Sequence, residues 1–290
     1  MSTIITASGL SQPDRTKGYI AHAIDAATTC LHQAGCALDE VDILINTGIY
    51  RDDNTCEPSV AALIQHGLGM HLNPMTTPAR THTFSFDLMN GACGLLNGLQ
   101  VAHAILTARD LNRALLIAGE SHPSMQPHPK FPFEHAGVAL LVERSTSSGF
   151  STFLFQSTPQ FEGRSGYLDL ELHHTASRHS LAFEHTESTT PPVQLIQSVV
   201  TAYIEAHDLD ITNTELLFAD ANTQLATAVS LELGIPLSKG SIALQELGNL
   251  HSANLGFGLD NALASSTTDL LCVVIGTGMT IGCALYRQSA

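Results

Sequence analysis

The feature that most constrains the fold of this chain is an order of strands and helices that occurs twice. Apolar runs such as ALLIAG (114–119) and LLCVVI (270–275) alternate with stretches whose apolar residues recur at helical spacing. Continuous apolar runs are typical of strands that are covered on both faces. Each half of the chain can be divided in the order βαβαβαββ. The sequence therefore predicts a layered α/β fold of two duplicated halves.

The boundary between the halves is predicted in the segment SSGFST (147–152), which gives halves of 1–148 and 149–290. The two halves are expected to form two mixed sheets packed through shared helices, in αβαβα layers. A polar stretch, 162–190, is expected to form a lid or an interface loop, and it contains His173, His174, His179 and His185. The predicted strands are 3–8, 42–47, 82–87, 113–119, 137–143, 151–156, 215–219, 241–245, 270–275 and 280–286. The predicted helices are 18–34, 58–68, 94–108, 192–207, 223–233 and 253–264.

Charge and cysteine usage exclude several classes of function. The chain has 12 basic and 27 acidic residues, a formal net charge of −15, and no basic cluster. Nucleic acid binding needs clustered Lys and Arg, so it is not expected. Six cysteines without CxxC pairing indicate reduced thiols, and no targeting leader or membrane-length apolar run is found. We expect a cytoplasmic protein that binds no membrane, metal or cofactor.

The segment SFDLMNGACGLLNGLQVAHAIL (85–106) places a cysteine where a strand turns into a helix. A helix N-terminus stabilises a thiolate, so Cys93 is a candidate nucleophile.

Four stretches, in order along the chain, resemble the thiolase superfamily and, within it, the β-ketoacyl-[acyl-carrier-protein] synthase III branch of condensing enzymes. FDLMNGACGLLNGLQVA resembles the nucleophile segment, and FADANTQLATAVSLELGI resembles the His-Gln-Ala-Asn segment. ELGNLHSANLG resembles the Gly-Asn-Thr-Ser segment, and GTGMTIGCALYR resembles the glycine-rich C-terminal hairpin. The resemblance implies a thiolase-like fold and a dimer that acts on acyl thioesters.

The resemblance also implies site residues. In the family a Cys thiolate takes the acyl group, a His–Asn pair activates the second substrate, and backbone N–H groups hold the oxyanion. The Asn corresponds to Asn249. The backbone donors correspond to Ala92 at the elbow and to Gly276, Thr277 and Gly278 in the hairpin.

Two positions depart from the family pattern. Without gaps, the nucleophile position is Ala92, and the His position is Ala219. Cys93 reaches the nucleophile position only through a one-residue insertion before it and a deletion after it. A one-residue shift at a helix start rotates a side chain by roughly 100°. Cys93 is therefore interpreted either as a small buried residue or as a shifted nucleophile.

Three further polar residues have two interpretations each. Asn249 either satisfies a buried network or keeps a polar function. His251 either stands in as a proton carrier or is an ordinary interior or surface histidine. Asp220 is either a displaced base or a turn residue at a strand end.

Glu57 precedes Pro58 at the start of a predicted helix. In the resembling enzymes this loop lies at the dimer interface, and its residue enters the acyl pocket of the partner. Where two acyl chains are joined, a Glu there acts as a base in the neighbouring subunit. The alternative is an acidic residue that complements the helix dipole.

These residues lead to one expected function and two alternatives. The expected function is a catalytically degenerate subunit of fatty-acid-derived or specialised-metabolite synthesis, paired with an active Cys-His-Asn homologue and shaping its acyl tunnel. Quinolone-type pathways contain such a pairing. The first alternative is an active acyltransferase that uses Cys93 with His251 or Asp220. The second is a non-catalytic, acyl-binding homodimer.

Overall fold

The computed structural model describes residues 1–71, 82–109, 111–158, 178–182, 192–265, 267–276 and 280–288. Nine strands and seven α-helices are found in these ranges. The strands are β1 (Ser2–Ser11), β2 (Ile43–Asn46), β3 (Phe84–Asp87), β4 (Arg113–Glu120), β5 (Ala136–Ser145), β6 (Gly149–Ser157), β7 (Thr214–Phe218), β8 (Asp269–Gly276) and β9 (Thr280–Arg287). The helices are α1 (Tyr19–Ala34), α2 (Val60–Leu68), α3 (Gly94–Ala108), α4 (Val193–Ala206), α5 (Thr223–Leu233), α6 (Lys239–Leu247) and α7 (Asn254–Leu263).

The strands form one hydrogen-bonded set in the order β3-β2-β4-β5-β1-β6-β9-β8-β7. Strand β2 is parallel to both β3 and β4, and β7 is parallel to β8. The remaining pairs are antiparallel. The strands of the two halves meet at one pair, Thr3 with Phe150, where β1 joins β6. The two mixed sheets that were expected are therefore joined where β1 pairs with β6.

Three apolar clusters define the layers. The central cluster joins α3 and α7 to one face of each half of the sheet, for example Leu116 and Leu140 from the first half and Leu270 from the second. A second cluster packs α1 and α2 on the opposite face of the first half. A third packs α4 and α5 on the opposite face of the second half. This order of helix and strand layers is the predicted αβαβα arrangement, and the predicted α/β class is confirmed.

The predicted strand 241–245 is wrong, because this segment is the helix α6. Ser238 caps the helix through a hydrogen bond that its hydroxyl accepts from the N–H of Ser241 (3.3 Å). A short apolar run fits a strand and a buried helix equally well, and an N-cap serine is a start signal for a helix. What remains of a strand beside β7 is a single parallel bridge between Leu216 and Leu237.

The side chain of Ser241 replaces part of the missing strand. The N–H of Phe218 donates to its hydroxyl oxygen (2.8 Å), and the hydroxyl donates to the carbonyl of Leu216 (2.9 Å). Buried backbone groups require partners. The helix thus supplies, through one hydroxyl, hydrogen bonds that a neighbouring strand would otherwise make with the edge of β7.

Candidate functional site

The strand-to-helix elbow is present where the sequence places it. After β3 the chain turns through Gly91 (φ +52°) into a 3₁₀ turn, Gly91–Cys93, and α3 begins at Gly94. A Cβ atom at Gly94 would lie 3.2 Å from the carbonyl oxygen of Thr47, which follows β2. The small residues of the elbow therefore let it pack closely over the end of the sheet.

Within the elbow, Cys93 and Gly91 are buried. The side chain of Cys93 is 0% exposed, and its thiol donates to the carbonyl of Thr280 at 3.7 Å. A Cβ atom at Gly276 would lie 2.8 Å from Sγ of Cys93, so the thiol packs against that glycine. Burial raises the pKa of Cys93 to about 12, and a backbone hydrogen bond at Gly276 offsets this only in part. The neighbouring Ala92 is partly exposed.

The predicted His position has no proton-transfer side chain. Ala219 is 2% exposed, and its N–H donates to Val273 at 2.9 Å, so it continues the pairing of β7 with β8. Asp220 follows, and its Oδ1 accepts from the N–H of Asn222 at 2.7 Å. Burial raises the pKa of Asp220, and this hydrogen bond lowers it by less. Asp220 therefore forms a turn while remaining a carboxyl group in a poorly solvated place.

Asn249 lies exposed on the loop between α6 and α7. Its Oδ1 accepts from the N–H of His251 (2.9 Å) and from Nδ2 of Asn254 (3.3 Å). Because these donors require the oxygen of the amide, Nδ2 of Asn249 is directed away from them as a donor. Asn249 is therefore not part of a buried network: its oxygen holds the loop together, and a polar function of its amino group stays a prediction.

His251 is paired with a carboxylate that the sequence interpretation missed. Its Nδ1 lies 2.8 Å from Oε1 of Glu120, the last residue of β4. The Glu120 side chain is 0% exposed, and that of His251 is 12% exposed. The two residues are 131 positions apart in the chain, so no local motif joins them. The available signal was a carboxylate that directly ends an apolar strand, ALLIAGE.

Aromatic rings enclose this pair. The imidazole of His251 stacks on Phe133 with centroids 4.3 Å apart and planes 13° from parallel, and Tyr50 lies 6.1 Å away. Phe133 and Tyr50 belong to a small apolar cluster with Phe131. Burial first, and then the Glu120 carboxylate, raise the pKa of Tyr50. The pair therefore lies in an environment of low polarity.

Glu57 is exposed, and its loop is anchored by an ion pair. Arg51 and Asp87 are joined at 2.8 Å with side-chain exposures of 18% and 9%, and Arg51 also donates to the carbonyls of Thr55 and Cys56. Asp87 accepts from the first N–H groups of α2, and Ser59 supplies the N-cap. Capping of α2 therefore does not depend on Glu57.

Some predicted features lie outside the described residues, namely Thr277, Gly278, His173, His174 and His185. In the described part of the polar stretch, His179 lies 2.6 Å from Asp53, in the loop before Glu57.

No group of three or more His, Cys, Asp or Glu among the described residues is arranged to hold a metal ion. No helix in the described ranges is long and apolar enough to span a bilayer.

Comparisons with known proteins agree with this architecture. Over 288 residues the chain is 25% identical to β-ketoacyl-[acyl-carrier-protein] synthase III of Alkalilimnicola ehrlichii, covering 95% of this chain and 85% of that protein. The crystal structure of FabH, the 3-oxoacyl-(acyl carrier protein) synthase III of Pseudomonas aeruginosa PAO1, matches with a TM-score of 0.77 and 18% identity, covering 100% and 99% of the two chains. No protein-family model matches the chain.

A second solved structure is a cysteine-to-serine variant of Xanthomonas campestris OleA with bound lauric acid and lauroyl-CoA. It matches with a TM-score of 0.76 and 15% identity over 99% of each chain. The chain therefore has the α/β fold of the thiolase superfamily. Its fold is that of the β-ketoacyl synthase III structures, and its sequence is similar to those enzymes, as the four sequence stretches predicted.

Proposed function

We propose that this protein is a subunit without condensing activity of its own, which pairs with an active Cys-His-Asn ketosynthase III-like subunit and shapes the acyl site of the pair. The observation that carries this proposal is the pair of alanines at the nucleophile and His positions. Ala92 is the partly exposed residue of the elbow, whereas Cys93 is buried with a pKa of about 12. Neither alanine side chain can attack a thioester or transfer a proton.

The proposed dimer is supported by an open strand edge. Strand β3 ends the described sheet and pairs only with β2 there. Phe84 on this strand is 64% exposed, and Met89, just after it, is 49% exposed. An edge strand with large exposed apolar side chains is a template for pairing with another chain. We assign this edge to the homologous subunit.

The proposed contribution of this chain to the pair is Glu57. The carboxylate is exposed on a loop that the Arg51–Asp87 ion pair anchors, and α2 is capped without it. In the proposed dimer, a carboxylate on an anchored, exposed loop can enter the site of the other subunit as a base. The lauroyl ligands of the OleA structure support an acyl thioester as the bound substrate.

The proposal is tested by co-expression with a ketosynthase III homologue encoded beside this chain. We expect a stable heterodimer, and we expect Glu57→Ala to lower turnover by about 10²-fold without preventing assembly, as for the loss of a general base. Glu205→Ala, an exposed glutamate on α4, is the matched control and is expected to leave turnover unchanged. Unchanged turnover in the Glu57 variant would exclude the donated base.

The two alternatives give different results. If Cys93 is the nucleophile, the isolated chain gains an acyl mass from an acyl thioester, and Cys93→Ala abolishes that gain. If the protein is an acyl-binding homodimer, it binds the acyl ligand but forms no complex with the neighbouring ketosynthase.

A further inference from the structure

We propose that Nε2 of His251, with the ring oriented by Glu120, is a general base that directs water onto an acyl thioester bound beside Ala92. The chain would then hydrolyse acyl thioesters slowly on its own. This inference rests on the proposed function only for the class of ligand, an acyl thioester. It requires neither the heterodimer nor Glu57.

The hydrogen bond to Glu120 sets the tautomer of His251. Nδ1 of His251 lies 2.8 Å from the carboxyl oxygen of Glu120. We assign the hydrogen to Nδ1, because a carboxylate can only accept hydrogen bonds. The lone pair of the neutral ring is then on Nε2, at the opposite edge of the imidazole. A carboxylate that fixes the tautomer and orientation of a histidine in this way makes the other ring nitrogen the working base.

Further contacts surround the pair. Oε1 of Glu120 also lies 3.4 Å from the N–H of Ser252, and Oε2 lies 3.4 Å from the N–H of Tyr50. Phe133 stacks on one face of the imidazole at 4.3 Å. His251 itself has φ +49°, in the left-handed region that few residues other than glycine adopt. Such strain persists where the surrounding contacts determine the conformation, and it is frequent at functional sites.

The loop that carries His251 also carries a hydrogen-bond donor for the substrate. The N–H of His251 donates to Oδ1 of Asn249, which turns Nδ2 of Asn249 outward on an exposed residue. The 3₁₀ turn His251–Ala253 packs against the elbow turn Gly91–Cys93. A base, an oriented amide donor and a partly exposed alanine without a nucleophile therefore lie at the same end of the sheet.

The proposed step uses water in place of the missing cysteine. The oxygen of water attacks the thioester carbonyl carbon while Nε2 of His251 takes the proton, and Nδ2 of Asn249 donates to the carbonyl oxygen. The C–S bond then breaks, and the proton passes from Nε2 to the departing sulfur. One water and one thioester give one carboxylic acid and one thiol, and no electrons are transferred to another reactant.

The experiment measures hydrolysis of lauroyl-CoA by the purified full chain, from the loss of the thioester absorbance. The wild-type protein is expected to exceed the uncatalysed rate. His251→Gln and His251→Ser are each expected to lower kcat/KM by about 10²-fold or more, the usual contribution of a general base. His251→Ser introduces the serine that the family's Gly-Asn-Thr-Ser segment has at this position. His32→Gln, an exposed histidine on α1, is the matched control and is expected to keep the wild-type rate.

Glu120 is a positioning residue, so its test needs a spectroscopic readout. Glu120→Gln can donate its amide N–H to Nδ1 and reverse the tautomer, which the ¹⁵N chemical shifts of the His251 ring report. The expected result is a changed tautomer population together with a slower rate in a folded protein. Hydrolysis by the wild type no faster than the uncatalysed reaction, or equal rates for the wild type and both His251 variants, would overturn the inference. Failure to form a heterodimer would instead count against the proposed function alone.

Discussion

At the scale of single residues, a shift of one position in the elbow decides whether a side chain is buried or partly exposed. Cys93 and Ala92 are neighbours, yet one is packed against Gly276 and the other is partly exposed. The difference comes from the helical rotation between successive residues, which turns adjacent side chains by roughly 100°. A cysteine one position away from the exposed site is placed in the central apolar cluster, where a thiolate is poorly solvated.

The first prediction concerns thiol reactivity. With a pKa of about 12, Cys93 is a thiolate in roughly one molecule in ten thousand at pH 8. Iodoacetamide is expected to label the exposed Cys56 well before Cys93, as measured by peptide mass mapping over time. Ala92→Cys is expected to add a thiol that reacts at least about tenfold faster than Cys93. Labelling of Cys93 as fast as that of Cys56 would contradict the burial described here.

The second prediction uses the raised pKa of Asp220. Burial favours the protonated form in the folded protein, so the stability that this group contributes is present below its unfolded pKa and is lost as pH rises through its folded pKa. Asp220→Asn keeps the acceptor for the N–H of Asn222 and is expected to raise the melting temperature at pH 7. This increase in melting temperature is expected to become smaller as the pH is lowered towards 3.5.

Asp210 is a matched control for that comparison, because it makes the same kind of turn. Its carboxylate accepts from the N–H and the hydroxyl of Thr212, and these hydrogen bonds lower its pKa. Asp210→Asn is therefore expected to lower stability at pH 7, and less so as the pH falls towards the folded pKa of Asp210. Thermal melts at pH 7 measure both variants. A change of melting temperature in the same direction for both would contradict the opposite pKa shifts of Asp220 and Asp210.

At the scale of elements, the hydrophobic period predicted almost every strand and helix with small errors at the ends. The buried parallel strands and amphipathic helices are local patterns, so they are visible in a single sequence. The exception, 241–245, has a short apolar run whose form is decided by the Ser238 cap and by hydrogen bonds to β7. The Phe218 partner in β7 is 23 positions from Ser241, so no local pattern contains it. The Ser238 cap is a local signal, but the hydrophobic period does not include it.

The residues of the candidate site also differ in whether a local pattern of the sequence predicts them. The two alanines and Asn249 were predicted because each lies in a contiguous motif that the family resemblance aligns. The partner of His251 was not, because Glu120 lies at the end of another strand and no spacing rule connects the two. Contacts between residues 131 positions apart depend on the topology of the sheet, which a motif does not contain.

The third prediction concerns the anchor of the Glu57 loop. Asp87 accepts from Arg51, from Nδ2 of Asn46 and from two N–H groups of α2. Asp87→Ala leaves these donors without an acceptor in a mostly buried place and is expected to reduce the free energy of unfolding by about 3 kcal/mol.

The comparison for the anchor is the exposed ion pair of Arg15 with Glu134. Exposed pairs contribute little, so Arg15→Gln is expected to change stability far less. Urea denaturation of both variants measures the difference, and equal losses would show that the loop is not anchored as described.

At the scale of the whole molecule, the two halves depend on a common interior. The central cluster takes residues from both halves and places α3 and α7 between them. The fourth prediction follows from this cluster. Residues 1–148 or 149–290 expressed alone would expose that apolar face, so we expect aggregation or non-cooperative unfolding for each. A cooperative thermal transition of either half in calorimetry would contradict the shared core.

The position of β1 in the middle of the sheet has a consequence for synthesis of the chain. Ser2 of β1 pairs with Ser145, and Thr3 pairs with Phe150, so β1 is synthesised more than a hundred residues before the strands it pairs with. At about 5–20 residues per second, ribosomes leave β1 without its neighbours for roughly 7–30 s. During that interval a strand with two open edges is available to other chains. Soluble yield is therefore expected to rise when the protein accumulates slowly at low temperature. It is also expected to rise when a holdase chaperone is present to bind the unpaired strand.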